Sequence, residues 1–199
     1  MKSFAVLLVL LAPPFWETTS PDKWTEEQLQ SIFAESPWAQ VAAAQTLVGP
    51  APPATVYLAS AEPMRLAEAE RRRRLAKKRF AQDAEEDTLA EYEEYVQAHR
   101  DKVIVVAIAY HDWGALADAS EAATMQKECR LKVGRKKYRL EGYFPPTPSD
   151  PYLRLVFPRA AGERDKRFSV EFYLPGAAVP FREVEFELKD LVYRGRPSY

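Results

Sequence analysis

Proline placement divides this chain more sharply than any other feature of its sequence. The chain has 16 prolines in 199 residues, and none lies between Pro63 and Pro145. A proline inside a helix removes a backbone hydrogen bond, and its ring clashes with the preceding turn. The interval without proline is therefore where extended helices can form, and the sequence predicts them directly after Pro63.

This interval begins with a segment, residues 63–100, that favours helix and changes charge in its middle. The second half is acidic, and its Leu89, Tyr92 and Val96 recur at spacings of three and four, as on one helical face. The basic residues of the first half are Arg71, Arg72, Arg73, Arg74, Lys77, Lys78 and Arg79. We predict a helical insertion folded as a hairpin with oppositely charged arms, and one long helix is the alternative.

A shorter helix is predicted at residues 24–36, before this insertion. Thr25 at the N-cap and Gln28 three residues later form a capping-box pattern, and Ser36 before a proline is a typical helix end. The following residues, 44–54, contain three prolines and many alanines, and they are interpreted as an extended linker. A strand is predicted directly after the linker, at residues 55–60.

Alternation with a period of two predicts strands beyond Lys102. Residues 103–110 form a continuous apolar run, typical of a strand buried on both faces. The remaining runs alternate between apolar and polar side chains, except for residues 115–125, which favour either a helical turn or a loop. The sequence predicts a single α+β domain, residues 21–199, whose β-rich body at 103–199 is an antiparallel β-sandwich, Ig-like or similar, with about seven strands.

The N-terminus is typical of an export signal. Lys2 precedes an apolar run from Phe4 to Ala12, which is too short to span a bilayer but long enough for the core of a signal peptide. We predict a signal peptide at residues 1–20, with cleavage near Ser20 and a mature chain in the periplasm or outside the cell. The mature chain has no predicted membrane span, and an N-terminal anchor or a buried strand is the alternative for residues 1–20.

Three segments resemble a family of uncharacterised exported bacterial proteins. They are WTEEQLQSIFAESPWA at Trp24–Ala39, VYLASAEPMRLAEAERRRR at Val56–Arg74, and LKDLVYRGRPSY at Leu188–Tyr199. The family joins a helix with the WTEE and SPWA motifs to a closing strand that begins with LKD. The resemblance implies secretion and a β-rich body, and it implies no activity or functional residue.

Few residues of this chain suit catalysis or metal binding. His99, His111 and Cys129 are its complete histidine and cysteine inventory, and they lack zinc-site spacing. His111 and Asp112 point to opposite faces if they continue a strand, which disfavours a general base oriented by a carboxylate. Cys129 alternates with charged residues and is interpreted as a small apolar core side chain. No cofactor is predicted.

The charge pattern leaves two interpretations of the basic segment. Lys and Arg total 28 against 29 Asp and Glu, so the chain as a whole gives no electrostatic reason to expect nucleic acid as a partner. The residues Arg71 to Arg79 either bind a partner, such as an anionic polymer, lipid or protein, or pair with the acidic arm of their own hairpin.

These patterns favour a non-catalytic binding or assembly module of the cell envelope, with another envelope protein as its partner. The first alternative is an envelope hydrolase that uses His111. The second is a polyanion-binding protein that uses the basic arm.

Overall fold

The computed structural model describes residues 13–46, 49–78, 86–148, 150–162 and 164–199. The helices are α1 (Phe15–Thr18), α2 (Glu26–Glu35), α3 (Glu62–Lys78), α4 (Glu86–Ala98), α5 (Trp113–Ala117) and α6 (Ala119–Glu128), with a 3₁₀ turn at Pro21–Lys23. The strands are β1 (Ala39–Thr46), β2 (Gly49–Leu58), β3 (Val103–Ala109), β4 (Arg130–Val133), β5 (Lys136–Arg139), β6 (Gly142–Phe144), β7 (Tyr152–Pro158), β8 (Arg167–Tyr173), β9 (Phe181–Glu187), β10 (Val192–Tyr193) and β11 (Arg196–Pro197).

The strands form two main sheets and one short ribbon. The larger sheet has the order β1-β2-β3-β7-β6, the smaller has the order β5-β4-β8-β9, and β10 pairs with β11. Every pairing between described strands is antiparallel. The predicted α+β class with antiparallel sheets is therefore confirmed, and one apolar cluster contains residues of both main sheets.

The prediction of a fully buried strand after Lys102 is correct. Every residue from Val103 to Ile108 is buried, and β3 lies between β2 and β7 in the larger sheet. Its pairing with β7 is continuous from Val103 opposite Pro158 to Ala109 opposite Tyr152. A strand with sheet on both edges and packing on both faces needs an uninterrupted apolar run, because it has no solvated side.

The predicted linker at residues 44–54 is wrong, because its described residues, 44–46 and 49–54, belong to β1 and β2. The prolines are tolerated through the pairing pattern: only Val56 to Leu58 of β2 pair with β3, while the earlier residues pair with β1 alone. Pro50, Pro52 and Pro53 thus lie where β2 has a neighbour on one side only. Pro52 and Pro53 also fall at the irregularity where the register with β1 shifts, so the missing N–H groups disturb the ladder little. The β-rich body therefore begins at residue 39 and not at 103, with α3 and α4 inserted between β2 and β3.

The predicted start of α2 is confirmed, whereas the structure at residues 115–125 and the number of strands differ from the prediction. Thr25 and Gln28 make the predicted capping box, in which the Gln28 N–H donates to Thr25 Oγ1 and the Thr25 N–H donates to Gln28 Oε1. The region predicted as a turn or loop at 115–125 contains α5 and α6, whose N-caps are Asp112 and Asp118. Nine of the eleven described strands lie beyond Lys102, where about seven were predicted, partly because the chain from Lys136 to Phe144 divides between the two sheets.

The first described residues are part of the folded body. Phe15 and Trp16 of α1 pack against the core, with edge-on ring contacts to Trp24 at 5.5 Å and Trp38 at 6.0 Å between centroids. Most of the predicted signal peptide, residues 1–12, lies outside the described residues. Among the helices that are described, none is long and apolar enough to cross a membrane.

Candidate functional site

The two helices of the insertion run antiparallel. Arg65 Nη2 on α3 donates to Gln97 Oε1 on α4 at 3.2 Å, and Arg72, two turns further along α3, forms an ion pair with Glu93. Residues further along α3 thus contact residues earlier in α4, as in two antiparallel helices. The residues of the connection, 79–85, lie outside the described residues.

A buried ion pair joins α3 to the larger sheet. Glu68 of α3 and Arg154 of β7 each have a side chain that is 2% exposed, and Arg154 Nη2 donates to Glu68 Oε1 at 2.9 Å. The Tyr57 hydroxyl of β2 donates to the same carboxylate oxygen at 2.7 Å. Arg154 also binds Asp150 through Nη1. One helix and two strands are therefore linked by charged hydrogen bonds inside the protein.

The ionisable groups of this network are held in fixed protonation states. Burial acts to raise the pKa of Glu68, but the charge of Arg154 and the Tyr57 hydrogen bond outweigh it, so the pKa lies below its ordinary value. Burial and the neighbouring Glu68 raise the pKa of Tyr57 well above its ordinary value. Burial acts to lower the pKa of Arg154, and Glu68 reverses that effect. Glu68 stays ionised and Tyr57 stays neutral at neutral pH.

Aromatic rings complete the surroundings of Arg154. Its guanidinium lies over the Tyr92 ring at 4.3 Å from the centroid and near the Tyr152 ring at 5.8 Å. Within the described part of the chain, Arg154 Nε and the Tyr92 hydroxyl are buried without a hydrogen-bond partner. The cation is therefore stabilised by two acids and by ring faces, with one donor left over.

Arg71 turns inward from the predicted basic surface. Its Nη1 donates to the Tyr152 hydroxyl at 2.8 Å, and its Nη2 lies 3.6 Å from Asp150 Oδ1. The guanidinium also lies 4.7 Å from the ring centroids of Phe33 and Tyr152. Arg71 thus extends the buried network towards α2.

Arg73 and Arg74 are held by a second acid of the same helix. The side chain of Glu70 is 4% exposed, and it accepts hydrogen bonds from both arginines at 2.7 Å. The hydrogen bond from Arg73 is the main reason why the pKa of Glu70 falls to about 2. Arg74 also donates to the Trp24 carbonyl at 2.5 Å, which ties α3 to the chain before α2.

The seven residues predicted as a partner-binding surface therefore separate into different environments. Arg71, Arg72, Arg73 and Arg74 make ion pairs within the chain. Lys77 is exposed. The side chain of Lys78 and all of Arg79 lie outside the described residues. Self-pairing does occur, but its main acids are Glu68 and Glu70 within the basic arm itself. Among the described residues of the segment 71–79, Arg72 pairs with the acidic arm, through Glu93.

A groove of about 730 Å³ lies between α3 and α4, above this network. Its apolar lining comes from Leu66, Ala69, Ala90 and Val96, and Glu68 and Tyr92 line it as well. Three arginines, Arg65, Arg72 and Arg100, and the acids Glu62, Glu93 and Glu94 form its charged walls. This combination of an apolar lining and charged walls is typical of a binding cleft.

The residues weighed for catalysis lie in ordinary surroundings. His111 is exposed, and the neighbouring Asp112 carboxylate accepts the Ala115 N–H at 3.1 Å as a helix cap. Cys129 is buried, and burial raises the pKa of its thiol to about 11. His99 stacks on Tyr95 at 4.3 Å between ring centroids. Among the described residues, no group of three or more His, Cys, Asp or Glu side chains is arranged to hold a metal ion.

Sequence analysis did not find Glu68 and Arg154. Glu68 precedes a run of arginines and resembles an ordinary solvated helix residue, while Arg154 occupies the polar position of an alternating strand. The one available signal was Arg154 between Leu153 and Leu155 in a run that is apolar on both sides. Such a position predicts a buried charge only if the strand is known to be central in its sheet.

Comparison of the chain with protein-family models, curated proteins and solved structures found no match.

Proposed function

We propose that this chain is a non-catalytic binding or assembly module of the cell envelope that acts outside the cytoplasm, with another envelope protein as its partner. The apolar run from Phe4 to Ala12 supports export to the periplasm or beyond. The resemblance to exported bacterial proteins supports the same location. We also propose that the two main sheets stack as a β-sandwich of Ig-like or similar type.

The groove between α3 and α4 is the observation that carries this proposal. Its apolar lining offers area for burial. Among the described residues, Arg65 on its wall is bound by Gln97 alone, and Arg100 by the half-exposed Glu62 alone. Such surface contacts are weak, so a partner's carboxylates can replace them at little cost. The groove suits a protein segment that combines apolar and acidic side chains.

The electrostatics beneath the groove favour binding over reaction. A general acid or base works best when its pKa lies near the working pH. The pKa of Glu68 is lowered, whereas burial raises the pKa of Tyr92 far above its ordinary value. These groups do not exchange protons near neutral pH: Glu68 stays ionised and paired with Arg154, and Tyr92 stays neutral.

Site-specific crosslinking in the intact envelope tests the groove. A photoreactive amino acid at Gln97, which is exposed and lines the groove, should give a discrete crosslinked species, whereas one at the exposed Lys127 should not. Ala69→Trp fills the groove and should abolish the Gln97 crosslink. Ala98→Trp, at an exposed position of α4 that does not line the groove, is the matched control and should leave the crosslink unchanged.

Two results would contradict the proposal. A Gln97 crosslink that persists in Ala69→Trp would show that the groove does not receive the partner. A hydrolytic activity that is lost in His111→Ala would favour the enzyme alternative. Export is tested separately, because alkaline phosphatase fused after residue 24 should be active only if the N-terminal segment carries it out of the cytoplasm.

A further inference from the structure

The β4–β5 hairpin carries the densest positive charge on the described sheets. Residues 130–139 contain six cations and no acid. The cations are Arg130, Lys132, Arg135, Lys136, Lys137 and Arg139. This hairpin lies outside the basic arm of the insertion, and it forms one edge of the smaller sheet.

The turn of the hairpin fixes which backbone groups face outward. Gly134 has φ +58° and Arg135 does not have a positive φ, as in a two-residue type II′ turn with glycine first. Val133 and Lys136 close this turn as a hydrogen-bonded pair. The pairs further along the hairpin therefore alternate between non-hydrogen-bonded and hydrogen-bonded, and Lys137 and Arg139 belong to non-hydrogen-bonded pairs. Lys137 and Arg139 therefore direct their N–H and C=O groups away from β4, towards the edge of β5 that pairs with no described strand.

The same two residues display their side chains on the outer face. Tyr138 between them lies opposite the buried Leu131, so the side chains of Lys137 and Arg139 lie on the other side of the sheet. Lys137 is directly opposite Lys132, and Arg139 is directly opposite Arg130. Two like-charged pairs across one ladder destabilise the isolated sheet, so a role in binding would explain their presence.

Charge compensation within the chain is incomplete at this edge. Lys132 and Lys137 share Glu171, at 3.3 and 3.1 Å. Arg135, Lys136 and Arg139 are exposed and form no ion pair with any residue that the structure describes. Among the described residues, the edge therefore offers unpaired backbone groups at Lys137 and Arg139 beside the unpaired cations Lys136 and Arg139, while Lys137 keeps Glu171 as its partner.

We propose that β5 binds an acidic, extended segment of another protein, which joins the smaller sheet as an additional strand. The main-chain groups of Lys137 and Arg139 would hydrogen-bond the incoming strand, as in other cases of strand addition. Because side chains on one face of a strand recur every second residue, the segment would carry acids at positions i and i+2, opposite these two cations. This surface is separate from the groove between α3 and α4.

A protein strand fits this edge better than an anionic membrane or a nucleic acid. Those ligands would use the cations but not the outward N–H and C=O groups of β5. The positive charge also disfavours pairing of β5 with another β5, as expected of a protected edge. It does not disfavour an acidic strand.

Fluorescence anisotropy with a labelled synthetic peptide tests this proposal. The probe is a short peptide in which glutamate alternates with valine and threonine, and it is mixed with the full chain at low salt. Two further peptides carry N-methyl groups on alternate amides: one peptide is methylated at the odd-numbered residues and the other at the even-numbered residues. Successive N–H groups of a strand point to opposite edges, so one methylated peptide should lose binding and the other should retain it.

Variants of the chain locate the binding site. Arg139→Glu places a like charge opposite the peptide's glutamate, and we expect its Kd to rise about tenfold or more. Lys127→Glu makes the same charge change at a side chain that is 80% exposed on α6, and it should leave Kd within about twofold. Far-UV circular dichroism should show that both variants keep the wild-type secondary structure.

Several results would overturn the proposal. If the two methylated peptides bind equally well, the contact is electrostatic and involves no strand pairing. If phosphatidylglycerol vesicles or a double-stranded DNA bind with the same dependence on Arg139 and the peptide does not, the edge recognises another class of ligand. If none of these binds, the cations serve only to protect the edge. The crosslinking test of the groove is unaffected by any of these outcomes.

Discussion

Replacement of Arg154 by methionine should destabilise this protein strongly, and the cost can be estimated from the contacts of Glu68. Without the guanidinium, the buried carboxylate keeps the Tyr57 hydrogen bond at 2.7 Å and a distant Arg72 at 3.7 Å. Removing one partner of a buried ion pair typically costs about 3–5 kcal/mol, because an uncompensated charge is left inside. We expect the free energy of unfolding to fall by about 4 kcal/mol at pH 7.

The loss should depend on pH in a definite direction. In the wild type the pKa of Glu68 is below its ordinary value of 4.5, so its stabilising contribution is present above that pH and is lost as pH falls. In Arg154→Met, burial is no longer outweighed and raises the pKa of Glu68. The variant then loses stability as pH rises from about 4.5 towards neutral. The free energies of unfolding of the two proteins should therefore differ less near pH 4 than at pH 7.

A double-mutant cycle isolates the pair. Glu68→Gln keeps an acceptor for Tyr57 and removes the charge, so Arg154→Met in that background should cost about 1–2 kcal/mol, without the pH dependence. Urea unfolding followed by tryptophan fluorescence, at pH 4 and pH 7, measures all four proteins. Arg167→Met is the matched control, because its ion pair with Glu185 is exposed on both sides and should contribute less than about 1 kcal/mol.

A loss below about 1.5 kcal/mol in Arg154→Met at pH 7 would contradict the stabilising role of the pair. A loss of the same size at both pH values would contradict it equally. Either result would mean that the carboxylate finds another partner or water when the arginine is removed.

Other predictions concern separate parts of the molecule. A chain that begins at residue 21 should be less stable than one that begins at residue 13 by about 1–3 kcal/mol. The shorter chain lacks the edge-on contacts of Phe15 and Trp16 with two buried tryptophans. Equal melting temperatures of the two chains would contradict this prediction. Gly176→Ala should lower the melting temperature, because φ is +69° and the added Cβ would lie 2.5 Å from a carboxylate oxygen of Asp112. Gly142→Ala is the control and should have little effect, because its added Cβ would lie in open space. Cys129 should react with a disulfide reagent at pH 7 only after urea unfolding, because burial raises the pKa of its thiol to about 11, and rapid reaction of the folded chain would show that the thiol is accessible.

Features that depend on neighbouring residues could be predicted from the sequence. The capping box of α2 involves Thr25 and Gln28, three positions apart, and the burial of β3 follows from its own apolar run. The structure confirms both. Each prediction needed only a local rule, because the interacting groups lie within one element.

Features that depend on distant residues could not be predicted. Glu68 and Arg154 are separated by 86 positions, and their pairing requires that α3 pack beside β7. The strand β2 was missed over Pro50 to Pro53 because its tolerance for proline depends on where β3 stops pairing with it. In both cases the deciding information is the neighbour in space, and a single sequence does not supply it.

The buried network also explains how a charged insertion is held on an apolar sheet. α3 carries few large apolar side chains along its basic segment, so burial of apolar area alone would specify its position on the sheet poorly. Glu68 in contact with Arg154 and Tyr57 permits one register of the helix, since a shift by one residue would leave the charges unpaired inside the protein.

A chain with Glu68→Leu and Arg154→Met should therefore have a urea midpoint at least as high as that of the single variant Arg154→Met. Its α3 should, however, show faster amide hydrogen exchange than in the wild type, because several positions on the sheet become similar in energy. Unchanged exchange would mean that the remaining contacts of α3 with other elements, from Arg71 to Tyr152 and from Arg74 to the Trp24 carbonyl, suffice to fix the helix.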